Sequence, residues 1–406
     1  MILKRIGWKS KIVSFKSLKG YQMTERKNIL HYPNPDLVVL KENRPKWNQP
    51  ETRRHGFHNF YRLPRYNLSL RAANILHLEM DINENIGSRA DVKRMTNNEF
   101  FSGMAVIKGQ DLIFETYAKD FHATHPHLAM SVMKLTVNLI IGDLISKGVL
   151  DPNKKVQDYI SEIGSGYAEA TIQQVLDMDL ENGYSEDYGD VFADVFLHEA
   201  CWGWRLGTED NPEVSQKKFL KSINSIDGSI KNNSGYANYK SANTEVLAWV
   251  AERVSGRSFL DWIIDLVEAT GIEGNWYMST DREGFPAFSG GLSLNARDMA
   301  RFGQLYCRYG CGVNNLQISS KEYIEWTRSR KSLVLDGRKN SPNYSNQTFT
   351  NGTWIGHGGY GGQFLLANPD TGVSVSFFSV LLNKKAMDYD YIGDMVSMME
   401  SIASEY

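Results

Sequence analysis

Apolar residues along this chain recur at two spacings, and the change from one to the other marks out strands and helices. The run MAVIKGQDLIFETY, within Gly103–Ala118, alternates on both sides of Gly109-Gln110, which predicts a hairpin. From Ala129 to Gly148 the spacing is helical and almost wholly apolar. Leu68–Leu78 also reads as helix, and Thr171–Met178 as a short one. Amphipathic helices are predicted over Ser241–Ser255 and Phe259–Ala269, with Gly256 between them, and over Ala296–Tyr309. Strands return at Gln363–Asn368 and Val373–Leu381, joined by Pro369-Asp370-Thr371-Gly372, whose residues suit a tight turn. A last helix is expected from Lys384 to Ser404. Residues 1–65 read as an irregular arm, because Pro33, Pro35, Pro45, Pro50 and Pro64 block long elements. The order predicts an α/β domain assembled from 66–130 and 286–406, with a mainly helical domain at 131–285.

Composition narrows this picture. The 406 residues are 42% hydrophobic and 23% charged, an ordinary globular balance. A net charge of −2 argues against general nucleic-acid binding. Residues 1–27 carry eight Lys/Arg against one Glu, so the remainder is acidic. Lys9, Lys11, Lys16 and Lys19 interrupt that basic start, which makes it a poor secretory signal and a better solvated tail or membrane-surface arm. Met23 is an alternative start to Met1. No apolar run reaches the ~18 residues of a membrane span. Cys201, Cys307 and Cys311 form no disulfide framework, which points to a reducing, cytoplasmic setting. His122, His125 and His127 lack acidic or thiol partners at ligand spacing, so no metal and no cofactor is expected.

Three short segments carry candidate chemistry. Ser131-Val132-Met133-Lys134 opens the long apolar helix, and residues three apart share a face, so hydroxyl and amine can meet. A serine turns nucleophilic beside a base, and a lysine becomes a base where its ammonium is destabilised. Lys134 falls among Met130, Met133, Leu135 and Val137, where a solvated lysine does not belong. Tyr239-Lys240-Ser241 precedes a helix that Ser241 or Asn243 could cap. His357-Gly358-Gly359 lies in a glycine run that leads into a strand. Its glycines allow close approach of a backbone N–H to a developing oxyanion.

SVMK, YKS and HGG, in that order and 108 and 118 residues apart, resemble the motifs of the serine β-lactamase and penicillin-binding-protein superfamily, in its class C-like branch. VLDMDLENGYSEDYGD, YKSANTEVLAWVAERVSG, GGLSLNARDMARFGQL and GGQFLLANPDTGVSV are similar to the nylon-oligomer (6-aminohexanoate-dimer) hydrolases and related esterases, over roughly 95–385. The resemblance implies an antiparallel sheet flanked by helices plus a helical domain, with the active site between them. It implies Ser131 as the acylated nucleophile, with Lys134 and Tyr239 as general base and acid. The backbone N–H groups of Ser131 and Tyr360 would form the oxyanion hole. Tyr188 would touch the substrate amide, and Glu199 would face a substrate ammonium. His357, Gly358 and Gly359 would line the substrate site, His357 as a structural hydrogen-bonder. Two departures count: Gly358 replaces a threonine whose hydroxyl binds a carboxylate, and Ser241 replaces an asparagine. Both lead away from β-lactams.

The expected function is therefore a serine hydrolase of small linear amides or esters, acting through an acyl-enzyme. A D-amino-acid peptidase or transpeptidase, a biosynthetic acyltransferase or thioesterase, and a catalytically silent binding protein on the same fold stay open, as does a homodimer.

Overall fold

The computed structural model describes residues 46–209 and 211–406; the basic start and Met23 lie outside the described residues. The described residues form a single compact unit.

The predicted hairpin and the late strands build the main sheet. Antiparallel strands β3 (Phe101–Lys108), β4 (Asp111–Tyr117), β11 (Ile355–Gly359), β12 (Gln363–Asn368) and β13 (Val373–Ser379) run in the order β4-β3-β13-β12-β11, extended at one edge by β2 (Glu79–Met80), parallel to β4, and at the other by β10 (Thr348–Thr350), β9 (Asn343–Ser345) and β8 (Leu333–Val334). The period of two divides their side chains between two cores. Ala105, Ile107, Leu365 and Ala367 pack with helix Ala296–Cys307. Met104, Val106, Phe364 and Leu366 pack with helix Tyr389–Glu405 on the opposite face. Buried on both faces, these strands read as nearly continuous apolar runs.

A second, four-stranded sheet holds β1 (Asn67–Leu70), β6 (Trp276–Ser279), β7 (Leu292–Leu294) and β5 (His127–Leu128) in that order. Its last strand delivers the chain to Ser131, with the Ala129 N–H donating to the Leu292 carbonyl at 2.8 Å.

Three expectations need correction. The helix over Leu68–Leu78 is absent: Leu68 and Leu70 alternate with exposed Asn67 and Ser69 and pair with β6, so the true period there is two. The helix from Ala129 starts as a 3-10 turn, Met130–Met133, and becomes α1 only at Lys134–Ser146. Within the stretch expected to be irregular, Arg53–Asn59 is helical, and Phe57 and Phe60 are buried beside Trp47, Trp202 and Trp204. Proline spacing set limits on element length there without revealing these aromatic anchors.

Candidate active site

The apolar helix supplies the first component. α1 is buried on nearly every side, so Lys134, its first residue, has no route to solvent and is fully buried. Its amine donates to the Ser131 hydroxyl at 3.0 Å, the Ser241 hydroxyl at 3.2 Å and the Ser289 carbonyl at 2.9 Å. Burial pulls the Lys134 pKa down to about 8, against a smaller upward pull from Glu186 and Glu245. Ser131 lies in the 3-10 turn just after Met130, whose φ of +50° is a left-handed conformation unusual for a side chain of that size. This bend turns the serine towards the amine.

Helix α2 (Ser241–Ser255) supplies the second. Tyr239 sits in the loop ahead of it, and the Lys134 amine stands 4.9 Å from its ring centre. Ser131 and Tyr239 line the same cavity. Burial, then the charge of Glu186, hold the Tyr239 pKa well above its ordinary value, so this phenol keeps its proton. Neither Ser241 nor Asn243 caps α2 as expected. The Ser241 N–H and hydroxyl both donate to Glu186, the hydroxyl at 2.8 Å, and the Asn243 amide oxygen accepts from Tyr167 at 2.8 Å.

Glu186 escaped the sequence reading. Its carboxylate gathers Ser241 and the Tyr188 hydroxyl, which donates at 2.7 Å. Its position in YSEDYGD, two residues before a tyrosine already singled out, was the available signal. Glu245 is a second omission. Fully buried, it accepts from the N–H groups of Ser289 and Phe288 at 2.7 and 3.3 Å, and the Ser289 carbonyl is the one that receives Lys134. Burial raises its pKa to about 8.

The glycine run supplies the third. It is itself strand β11, and a Cβ added at Gly359 would stand 2.5 Å from the Ala129 carbonyl oxygen. Only a glycine lets this edge lie against the serine turn. Among the described residues, neither the Ser131 nor the Tyr360 N–H donates to a turn or loop carbonyl. The His357 ring stacks on Phe349 at 4.2 Å, its Nδ1 lies 2.6 Å from the Gly358 carbonyl, and burial keeps it neutral.

Ser131, Tyr188, Tyr239, Gly358, Gly359 and Tyr360 line one cavity of about 310 Å³. The structure thus brings six of the candidates to a single opening, while His357 stands behind it. Glu199 adjoins Ser131 through a separate cavity of about 20 Å³, and its carboxylate is already ion-paired with Arg205.

The Beta-lactamase family profile matches residues 97–393, most of the chain. The chain belongs to that family. It is 30% identical over 252 residues to a 6-aminohexanoate-dimer hydrolase from Paenarthrobacter ureafaciens, an alignment spanning 61% of this chain and 62% of that protein. The chain therefore spans less than two thirds of this relative. Among solved structures, a Bacillus anthracis protein provisionally described as a 6-aminohexanoate-dimer hydrolase superposes with a TM-score of 0.72 at 21% identity, covering 92% of this chain and 98% of its own. A D-stereospecific amidohydrolase from Streptomyces sp. gives a TM-score of 0.51 at 16% identity, over 74% of this chain and 95% of its own. A penicillin-binding protein homologue from Pyrococcus abyssi superposes with a TM-score of 0.53 at 16% identity, over 78% of this chain and 77% of its own, so the fold is that of the β-lactamases and penicillin-binding proteins, as the motifs implied. Among the described residues, no helix is long and apolar enough to cross a membrane.

Proposed function

We propose that this chain is a serine hydrolase that cleaves small linear amides or esters through an acyl-enzyme on Ser131. The observation that carries the reading is the 3.0 Å contact between the Ser131 hydroxyl and a fully buried lysine amine. The names borne by similar proteins, a dimer hydrolase and an amidohydrolase, agree with it.

The steps follow from the geometry. With a pKa of about 8, Lys134 is neutral in about one molecule in ten at pH 7, enough to serve as a base. It takes the Ser131 proton as the oxygen attacks the carbonyl carbon. The N–H groups of Ser131 and Tyr360 receive the oxyanion, each worth roughly 3 kcal/mol in the transition state. Tyr239, still protonated, gives its proton to the departing nitrogen or oxygen, and the Lys134 ammonium restores it. Water then attacks the ester by the reverse sequence and frees Ser131. Base and acid are thus separated by environment: burial discharges the amine and protonates the phenol.

The test is a panel of p-nitrophenyl esters, 6-aminohexanoate dimer and nitrocefin, assayed with the wild-type and Ser131→Ala proteins. Turnover of an ester or the linear amide by the wild type, reduced at least a thousandfold in Ser131→Ala, is expected. Comparable turnover by both proteins would refute the proposal.

A further inference from the structure

The walls of the site narrow the substrate class, given the serine-hydrolase reading on which this inference rests. The 6-aminohexanoate relatives direct attention to a chain ending in an ammonium, and Glu199 is the carboxylate that would receive it. That carboxylate is 3% exposed and is held by Arg205. The cavity it shares with Ser131, about 20 Å³, has room for one water and not for an aminoalkyl chain. An ammonium brought there would meet a carboxylate already neutralised and a guanidinium beside it.

The larger cavity has a different chemistry. Beyond Ser131 and Tyr239 its wall is built by Leu335, Phe349, Phe364, Met387, Ile392 and Met395. Its size, about 310 Å³, falls at the small end of ligand sites. Its charged lining residues, Asp336 and Arg338, are paired with each other, and Arg338 stacks on Tyr389 at 3.7 Å. Removing an ammonium from water into such a wall, with no free carboxylate, is strongly unfavourable.

Gly358 belongs to the same construction. A Cβ there would stand 3.2 Å from the Phe364 ring and 3.4 Å from the Phe349 ring. Aromatic carbon thus fills the space into which a larger residue's hydroxyl would project. The substitution that removes a carboxylate-binding group also closes the apolar wall.

We infer that the cavity beside Ser131 receives an uncharged, apolar acyl chain, so that the preferred substrates are esters or amides of unbranched medium-length carboxylic acids lacking a terminal charge. The acyl part is assigned to the cavity because it stays bonded to Ser131 until water arrives. The leaving group must escape to solvent in between.

The experiment uses the full chain and p-nitrophenyl acetate, butyrate, hexanoate and 6-aminohexanoate. kcat/KM is expected to rise at least tenfold from acetate to hexanoate and to fall at least tenfold when hexanoate gains its terminal ammonium. Ile392→Trp, which fills the cavity, should reduce the hexanoate-to-acetate ratio at least tenfold. Arg338→Glu, at an exposed side chain, should narrow the gap between hexanoate and 6-aminohexanoate several-fold. A flat chain-length series, or 6-aminohexanoate turned over as well as hexanoate, would overturn the inference while Ser131-dependent turnover left the hydrolase reading standing. A chain-length preference confined to the alcohol part, measured from ethyl to hexyl acetate, would overturn it too. Absence of any Ser131-dependent turnover would remove both.

Discussion

The proposed chemistry of this molecule turns on one atom, the amine nitrogen of Lys134. Three hydrogen bonds fix its amine, and the absence of solvent lowers its affinity for a proton. In the proposed mechanism the free base is the working form, so kcat/KM should rise with pH and level off above about 8. Of the charges acting on it, Glu186 is the strongest in the upward direction. Glu186→Gln should therefore move the rising limb to lower pH, and it should lower kcat as well, since Ser241 and Tyr188 lose their shared acceptor. A pH–rate profile checks both effects. A limb displaced to higher pH would show that Glu186 does not act through the Lys134 charge. The pairing of Ser131 with Lys134 was legible because residues three apart on a helix must meet. Glu186 was not, because its partners come together only when the loop before Ala193 folds back on α2.

At the scale of elements, the site is a junction of three edges: the turn ahead of α1, the loop ahead of α2 and strand β11. Gly359 sets the closest approach among them. Gly359→Ala should force β11 away from the Ala129 carbonyl and reduce kcat/KM by at least a hundredfold, with circular dichroism unchanged. An activity within threefold of wild type would show that this approach is not needed. The elements were readable where one period dominated: α2, the hairpin β3–β4 and strand β12 all stand close to their predicted limits. They were misread where a short edge strand carried only two leucines, as in β1. Leu68 and Leu70 are too few apolar positions to separate the two periods, and the partner that decides between them, β6, lies about 200 residues further on.

The whole molecule carries a built-in sensitivity to acid. His58, His127, His198 and His357 are buried. Burial holds His58 and His198 down to about 3, and the other two well below 6.5. Below pH 6.5 the unfolded chain binds protons that the folded one refuses, so stability falls as pH drops, each group contributing about 1.4 kcal/mol per pH unit. Glu245, raised to about 8, works in the opposite sense and offsets one of the four. The net loss should approach about 4 kcal/mol per unit below pH 6, a large share of a typical domain's stability. Urea midpoints at pH 7.5 and 5.5 measure it; equal midpoints would show that these rings accept protons in place. The central claim concerns the serine, and the most direct measurement of it is labelling by a fluorophosphonate, followed by peptide mass mapping. One equivalent of label on Ser131, lost in Ser131→Ala and slowed in Lys134→Ala, is the expected result. A label carried by another serine, or none with the protein folded, would contradict the account.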